Sequence, residues 1–213
     1  MPAVYNRILA VDYATKYALQ ANKAWIHDEE DCTNFVSQAL YYGGWPMTAG
    51  AGNDDVTAWY NISDPDSWLG QNWGRSSFRR SKTWGAAENF KQFLQLGKRA
   101  RICTIGELKI GDVVQHVANG RASHTMMITG MATPSPTQPA TGGLSYVLLA
   151  SYHSKDRLNF PLILLNAPYL NLFWKILDIV PDTDSASDIV LENATDKRWS
   201  HSTRKRQGGL PWF

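Results

Sequence analysis

The sequence predicts an α+β fold in which N-terminal helices pack on an antiparallel sheet. In three stretches before Gly97 the apolar residues recur at three and four. Beyond it they alternate with a period of two, and Asn119-Gly120, a strong two-residue hairpin signal, sits between two such runs. Helices first and strands after mean segregated rather than alternating α and β structure. With 213 residues, 44% of them hydrophobic, there is chain enough for one core and not for two.

The elements follow in order. Ala10, Tyr13, Ala14, Tyr17 and Ala18 give a helix from Tyr5 to Ala21, with Asn22 as its terminus. Asp31 is a good N-cap for a second helix, Cys32 to Tyr42, whose stripe is Phe35, Val36, Ala39 and Leu40 and whose stop is Gly43-Gly44. From Gly43 to Ser81 no period shows; so long a loop in a compact domain is usually functional or flexible. A third helix starts near Trp84 with Thr83 as cap and runs through Ala87, Phe90, Phe93 and Leu94 to Gly97. GDVVQHVA and SHTMMITGM then form the hairpin, LSYVLLASYH the next strand, and LNLFWKILDIV another that ends at Pro181. Past it, five acidic residues (Asp182, Asp184, Asp188, Glu192, Asp196) precede five basic ones (Lys197, Arg198, Arg204, Lys205, Arg206). The division is therefore a domain at 1–181 and an acidic-then-basic extension at 182–213.

Composition narrows the function classes. A balance of 21 Lys+Arg against 19 Asp+Glu is too even to point to nucleic acid or a membrane surface. No run approaches the ~18 apolar residues of a membrane span. MPAVYNRILAV has no apolar export core, so the chain as it stands is expected in the cytoplasm, or exported by a signal-independent route. Cys32 and Cys103 make neither a disulfide framework nor a metal or redox pair, and no cofactor or metal is expected.

Cys32 begins an amphipathic helix. Unpaired first-turn N–H groups there stabilise a thiolate, and the same groups can hold the oxyanion formed when it attacks a carbonyl. Cys103, in RARICTIG, has no cap or helix around it and reads as a small core residue. A nucleophilic cysteine needs a base, and the hairpin ranks the histidines. If Asn119-Gly120 is a two-residue turn, Ala118 faces Arg121, His124 faces Gln115 and His116 faces Ser123. His124 and His116 then project to opposite sides. If the next strand returns with Met131 near Leu144, His124 falls opposite Ser151, and His153 shares its face one step along. A slip of one residue reverses this.

DCTNFVSQAL, GGWPM, LKIGDVVQHVANGRASHTMMITG and ASYHSKDRLN, in that order from about Tyr5 to Leu158, resemble the putative amidase domain of the papain-like cysteine peptidase superfamily, which includes the CHAP and NlpC-type murein hydrolases. The resemblance implies a papain-like cysteine hydrolase with Cys32 as nucleophile, His124 as general base and His153 as the third polar member. Asp156 or Ser151 are alternative orienting residues. It implies an amidase or peptidase acting on peptidoglycan stem peptides or related peptide amides. An acyltransferase with an amine acceptor, or a non-catalytic wall- or partner-binding module, are the competing readings. Oligomeric state is not legible.

Aromatics are 12% of the chain, and many lie in or near the irregular stretch after the Cys32 helix. Trp25, His27, Trp45, Trp59, Trp68 and Trp73 are the candidates to line a substrate groove; the alternative is that the loop rings form a core of their own.

Overall fold

A computed structural model of the chain describes residues 2–26, 29–62, 80–164 and 169–180. Helices α1 (Arg7–Tyr17), α2 (Cys32–Tyr42), α3 (Lys82–Gly85) and α4 (Ala87–Gln95) come first. Strands β2 (Ala100–Ile102), β3 (Val113–Ala118), β4 (Arg121–Ala132), β5 (Val147–Tyr152), β6 (Arg157–Pro161) and β7 (Tyr169–Ile176) follow. They form one antiparallel sheet in the order β2-β7-β3-β4-β5-β6. A two-stranded ribbon joins β1 (Ala3–Val4) to β8 (Ile179–Val180). The fold is α+β, as the change of period predicts.

Local chemistry sets the boundaries. Asn6 caps α1, its Oδ1 accepting the Leu9 N–H at 3.1 Å, and the helix ends at Tyr17 rather than Ala21. Asn22 lies beyond that end; its side chain instead donates to the Tyr13 hydroxyl (3.1 Å) and accepts the Ala24 N–H (3.1 Å). The third helix is two, because Ala86 is extended (φ −107, ψ 128). The Ala87 carbonyl, at the start of the second of them, accepts from Gln115 Nε2 across the interface at 3.0 Å. The short edge strands β2 and β6 carry no alternating pattern long enough to read from sequence.

Helix α2 is the hub. Every residue from Cys32 to Tyr41 is buried, and Phe35, Val36, Ala39 and Leu40 are wholly so. Each large side chain among them contributes about 1.5–3 kcal/mol of transfer free energy. They pack between α1, α3 and one face of the sheet, presented by Val113, Met127 and Trp174. The other face carries a smaller cluster built on Val114, Met126, Ile128 and Leu148. At one end, buried Asp112 accepts from Arg7 (2.7 Å), Lys175 (3.0 Å) and the Lys109 and Ile176 N–H groups (2.8 and 2.9 Å). This ties α1, β3 and β7 together.

Among the described residues most aromatic side chains are core. Trp45 and Trp59 are 1% and 0% exposed, their rings 5.4 Å apart, and Trp59 lies 4.4 Å from Trp84. These two do not line a groove: the irregular loop has to bury its own rings. The Arg99 guanidinium sits among Trp45, Trp59 and Phe93 and donates to the Pro46 carbonyl. Burial lowers its pKa to about 9. Trp25 is half-buried and stacks on Trp84. His27, Trp68, Trp73 and the 182–213 extension lie outside the described residues.

Candidate active site

Asp31 precedes α2 but does not cap it. Its backbone (φ −100, ψ 7) is not that of a capping residue, and its carboxylate accepts no backbone N–H of the first turn. Instead Oδ1 accepts from Asn34 Nδ2 at 2.6 Å and Oδ2 from His153 Nδ1 at 2.9 Å. The first-turn N–H groups of α2 are therefore not taken up by this side chain. Asn34 is fixed in turn, donating to the Ile26 carbonyl (2.8 Å) and accepting from Trp84 Nε1 (2.7 Å).

Cys32, the first residue of α2, is 6% exposed and lines a cleft of about 630 Å³ with Glu30, Arg80, Gly85, Glu88 and Ser123. Among the described residues its Sγ has one hydrogen-bond partner, Thr33 Oγ1 at 3.7 Å. That hydroxyl starts a buried polar chain into the sheet. Thr33 Oγ1 lies 2.8 Å from Thr125 Oγ1, which accepts from Gln115 Nε2 at 3.1 Å; Gln115 Oε1 accepts from Trp174 Nε1 at 3.0 Å. No sequence pattern marks Thr33, Thr125 and Gln115 as a linked set. Only the fold aligns them, although Thr33 stands beside Cys32 in DCTNFVSQ.

The histidines are arranged differently from the sequence expectation. The turn at Asn119-Gly120 does pair Ala118 with Arg121, and Val117 pairs with Ala122. Then a one-residue bulge at Ser123 intervenes, and His124 pairs with His116 instead of Gln115. Ser151 pairs with Met127, three positions along β4 from His124. Being odd, that offset turns His124 away from the face that Ser151 and His153 share. The His124 ring rests 5.8 Å from His116 and 5.0 Å from Tyr152, on the outer face. Burial first, then His116 and Lys155, bring its pKa down to about 4.

His153 is on the α2 side, buried and stacked 4.2 Å from Phe35. Its Nδ1–H donates to Asp31 and its Nε2–H to the Tyr17 carbonyl at 2.8 Å, so both ring nitrogens carry protons. Burial works against that cation, but the hydrogen bonds to Asp31 and Tyr17 outweigh it and raise the pKa. The alternative orienting residues lie elsewhere. Ser151 Oγ is bonded to Thr129 Oγ1 (2.8 Å) and takes the Asn159 N–H (3.0 Å). Asp156 is exposed and lines a second cleft, of about 540 Å³, with Asp31 and His153. The structure thus brings His153 onto Asp31, the residue before Cys32, with Cys32 lining a different cleft, and leaves His124 across the sheet.

Half-buried Cys103 lies 3.5 Å from the Phe173 carbonyl; burial, then Asp112 and Glu107, raise its pKa to about 11. Among the described residues no three or more His, Cys, Asp or Glu side chains gather as a metal site, and no helix is long and apolar enough to cross a membrane.

Comparison with known proteins gives two kinds of match. A family profile described as "Putative amidase domain" matches residues 4–173. Two Bacillus subtilis (strain 168) proteins are similar, both called uncharacterized. YhbB is 31% identical over 158 residues, 71% of this chain and 45% of that protein. YjcM is 28% identical over 171 residues, 74% of this chain and 32% of that protein. The chain spans less than half the length of these curated relatives. No solved structure matches significantly.

Proposed function

The chain belongs to the putative amidase domain family, and on that premise we propose that it is a thiol-dependent amide hydrolase of papain-like type. The observation that carries the reading is Cys32 itself. It is the first residue of a buried helix, it lines a cleft of about 630 Å³, and the preceding carboxylate leaves the first-turn N–H groups alone. Those groups suit an oxyanion.

In this reading His124, whose ring lies on the outer face in the register described, first turns to the α2 side and there takes the Cys32 proton. The thiolate attacks the amide carbonyl carbon, the C–S bond forms, and the first-turn N–H groups hold the oxyanion. Collapse breaks the C–N bond while His124 returns its proton to the leaving amine. Water, deprotonated by His124, then attacks the thioester, releasing a carboxylic acid and restoring the thiol. His153, with both N–H groups committed, acts at one remove: it fixes Asp31 and thereby the start of α2. The substrate class, a peptidoglycan stem peptide or a related peptide amide, comes from the family resemblance.

The test is hydrolysis of purified stem peptides, with products read by mass. Cys32→Ala should fold as the wild type does and lose about 10³-fold or more in kcat/KM. Full activity in that variant would exclude Cys32 as nucleophile.

A further inference from the structure

We propose that the bulge at Ser123 is a register switch for His124: sliding the extra residue from Ser123 to Thr125 turns the His124 imidazole from the outer face onto α2, beside Cys32. The inference rests on His124 being the base, and it supplies the movement that role requires.

The ladder allows the slide because both of its ends stay in place. On the turn side Ala118↔Arg121 and Val117↔Ala122 are kept; on the other, Val114↔Met126 and Val113↔Met127 are kept. Only the pairs between them exchange. His116 comes to face Ser123, Gln115 comes to face His124, and Thr125 becomes the unpaired residue. Gln115 already projects toward the helices, with its amide on the Ala87 carbonyl and on Thr125 Oγ1. Directly opposed residues share a face, so His124 would take over the position that Thr125 now fills. That position touches Thr33 Oγ1 at 2.8 Å, and Thr33 Oγ1 is the atom that contacts Cys32 Sγ. Continuing the Met127↔Ser151 register by two residues brings it level with His153 as well.

The two registers divide the satisfied groups between them. In the one described, Thr125 keeps two hydroxyl contacts, while His116 Nε2 is buried without a partner and the His124 imidazole makes no hydrogen bond among the described residues. Two neutral imidazoles are left against each other, with Tyr152 and Lys155 nearby. In the shifted register Thr125 gives up its contacts and His124 gains polar neighbours. A choice between two discrete packings, each leaving something unsatisfied, is the physical basis of a bistable element, and bulges beside active sites are where side chains are re-aimed.

Two single-residue deletions fix the alternatives. Deleting Ser123 removes the bulge with His124 facing out, and deleting Thr125 removes it with His124 facing α2. The readouts are iodoacetamide alkylation of Cys32 at pH 7, followed by peptide mass, and titration of the His124 ring by NMR. The Thr125 deletion should alkylate at Cys32 at least about tenfold faster, with His124 titrating well above the pH of about 4 kept in the Ser123 deletion. Equal or reversed Cys32 rates, or one His124 titration in both variants, would overturn the switch. Should either variant fail to fold, the wild type decides. Relaxation dispersion should broaden His116, Ser123, His124 and Thr125 while Val117 and Met127 stay sharp. Sharp signals throughout, with a sole His116–His124 cross-strand contact, would equally overturn it. If the Thr125 deletion shows the fast thiol yet cleaves no amide, the amidase reading falls and the switch stands. If the Cys32 rates match but Cys32→Ala is inactive toward stem peptides, the reverse holds.

Discussion

His153 Nδ1 lies 2.9 Å from Asp31 Oδ2, one residue before the thiol at the start of α2. The pair joins the end of β5 to that start, and the Nε2–H bond to the Tyr17 carbonyl adds the end of α1. Three elements therefore meet on one imidazolium. His153→Asn should lower stability by about 3 kcal/mol, because it leaves a buried carboxylate without its cation. The loss is pH-dependent in a definite direction. The folded-state pKa of His153 is raised above its unfolded value of about 6.5, so its contribution is fully present below that pH and is lost as pH rises through the folded value. Urea unfolding from about pH 6 to about pH 9 should show the gap between wild type and variant closing toward the alkaline end. A gap that widens would contradict the protonated assignment.

Asp112 makes a prediction of the same kind in the second charged centre. Its carboxylate is wholly buried between Arg7 and Lys175 and accepts two backbone N–H groups. Asp112→Asn keeps the shape but leaves two cations without their shared partner. It should cost about 3–5 kcal/mol, read as a fall in the urea midpoint at unchanged slope. Asp112 does not line the Cys32 cleft, and its bonds run to Arg7, Lys109, Lys175 and Ile176, so kcat/KM measured well below the new midpoint should stay near the wild-type value.

Much of this was legible in the sequence. The 3.6-residue period of α2 marked its length correctly from Cys32 to Tyr42, because the apolar stripe and Gly43-Gly44 agree. Gly44 adopts φ +110, with the Val4 carbonyl 2.7 Å from where a Cβ would stand, so glycine there is a packing requirement as well as a stop signal. The hairpin turn at Asn119-Gly120 was equally readable. The face of His124 was not, since one extra residue at Ser123 inverts every later side chain and no local propensity announces a bulge. Asp31 shows the same limit. Its residue type fits an N-cap, but the cap was overridden by Asn34 and His153, and a partner 122 positions away is invisible to local pattern.

The tryptophans separate core from groove by experiment. Trp59 is fully buried against Trp45, Trp84 and Phe93, and its Nε1–H donates to Ser37 Oγ at 3.2 Å. Trp59→Ala should destabilise by about 3–5 kcal/mol through the cavity it leaves. Trp59→Phe should recover part of that stability with KM unchanged. A raised KM at wild-type stability would mean that Trp59 touches substrate after all.

Cys103 offers a thiol whose behaviour follows from its surroundings and from nothing catalytic. Burial is the main reason its pKa stands at about 11, and the nearby Asp112 and Glu107 carboxylates push it the same way. Only the thiolate alkylates, so at pH 7 about one part in 10⁴ is reactive, and the rate should climb about tenfold per pH unit until the pKa is reached. The sequence has two cysteines, so in Cys32→Ala the whole iodoacetamide signal belongs to Cys103. Its labelling should be barely detectable at pH 7 and rise along that slope to pH 10. A flat profile, or fast labelling at neutral pH, would place Cys103 in an open, electropositive setting, which the Phe173 carbonyl 3.5 Å away and the flanking carboxylates argue against.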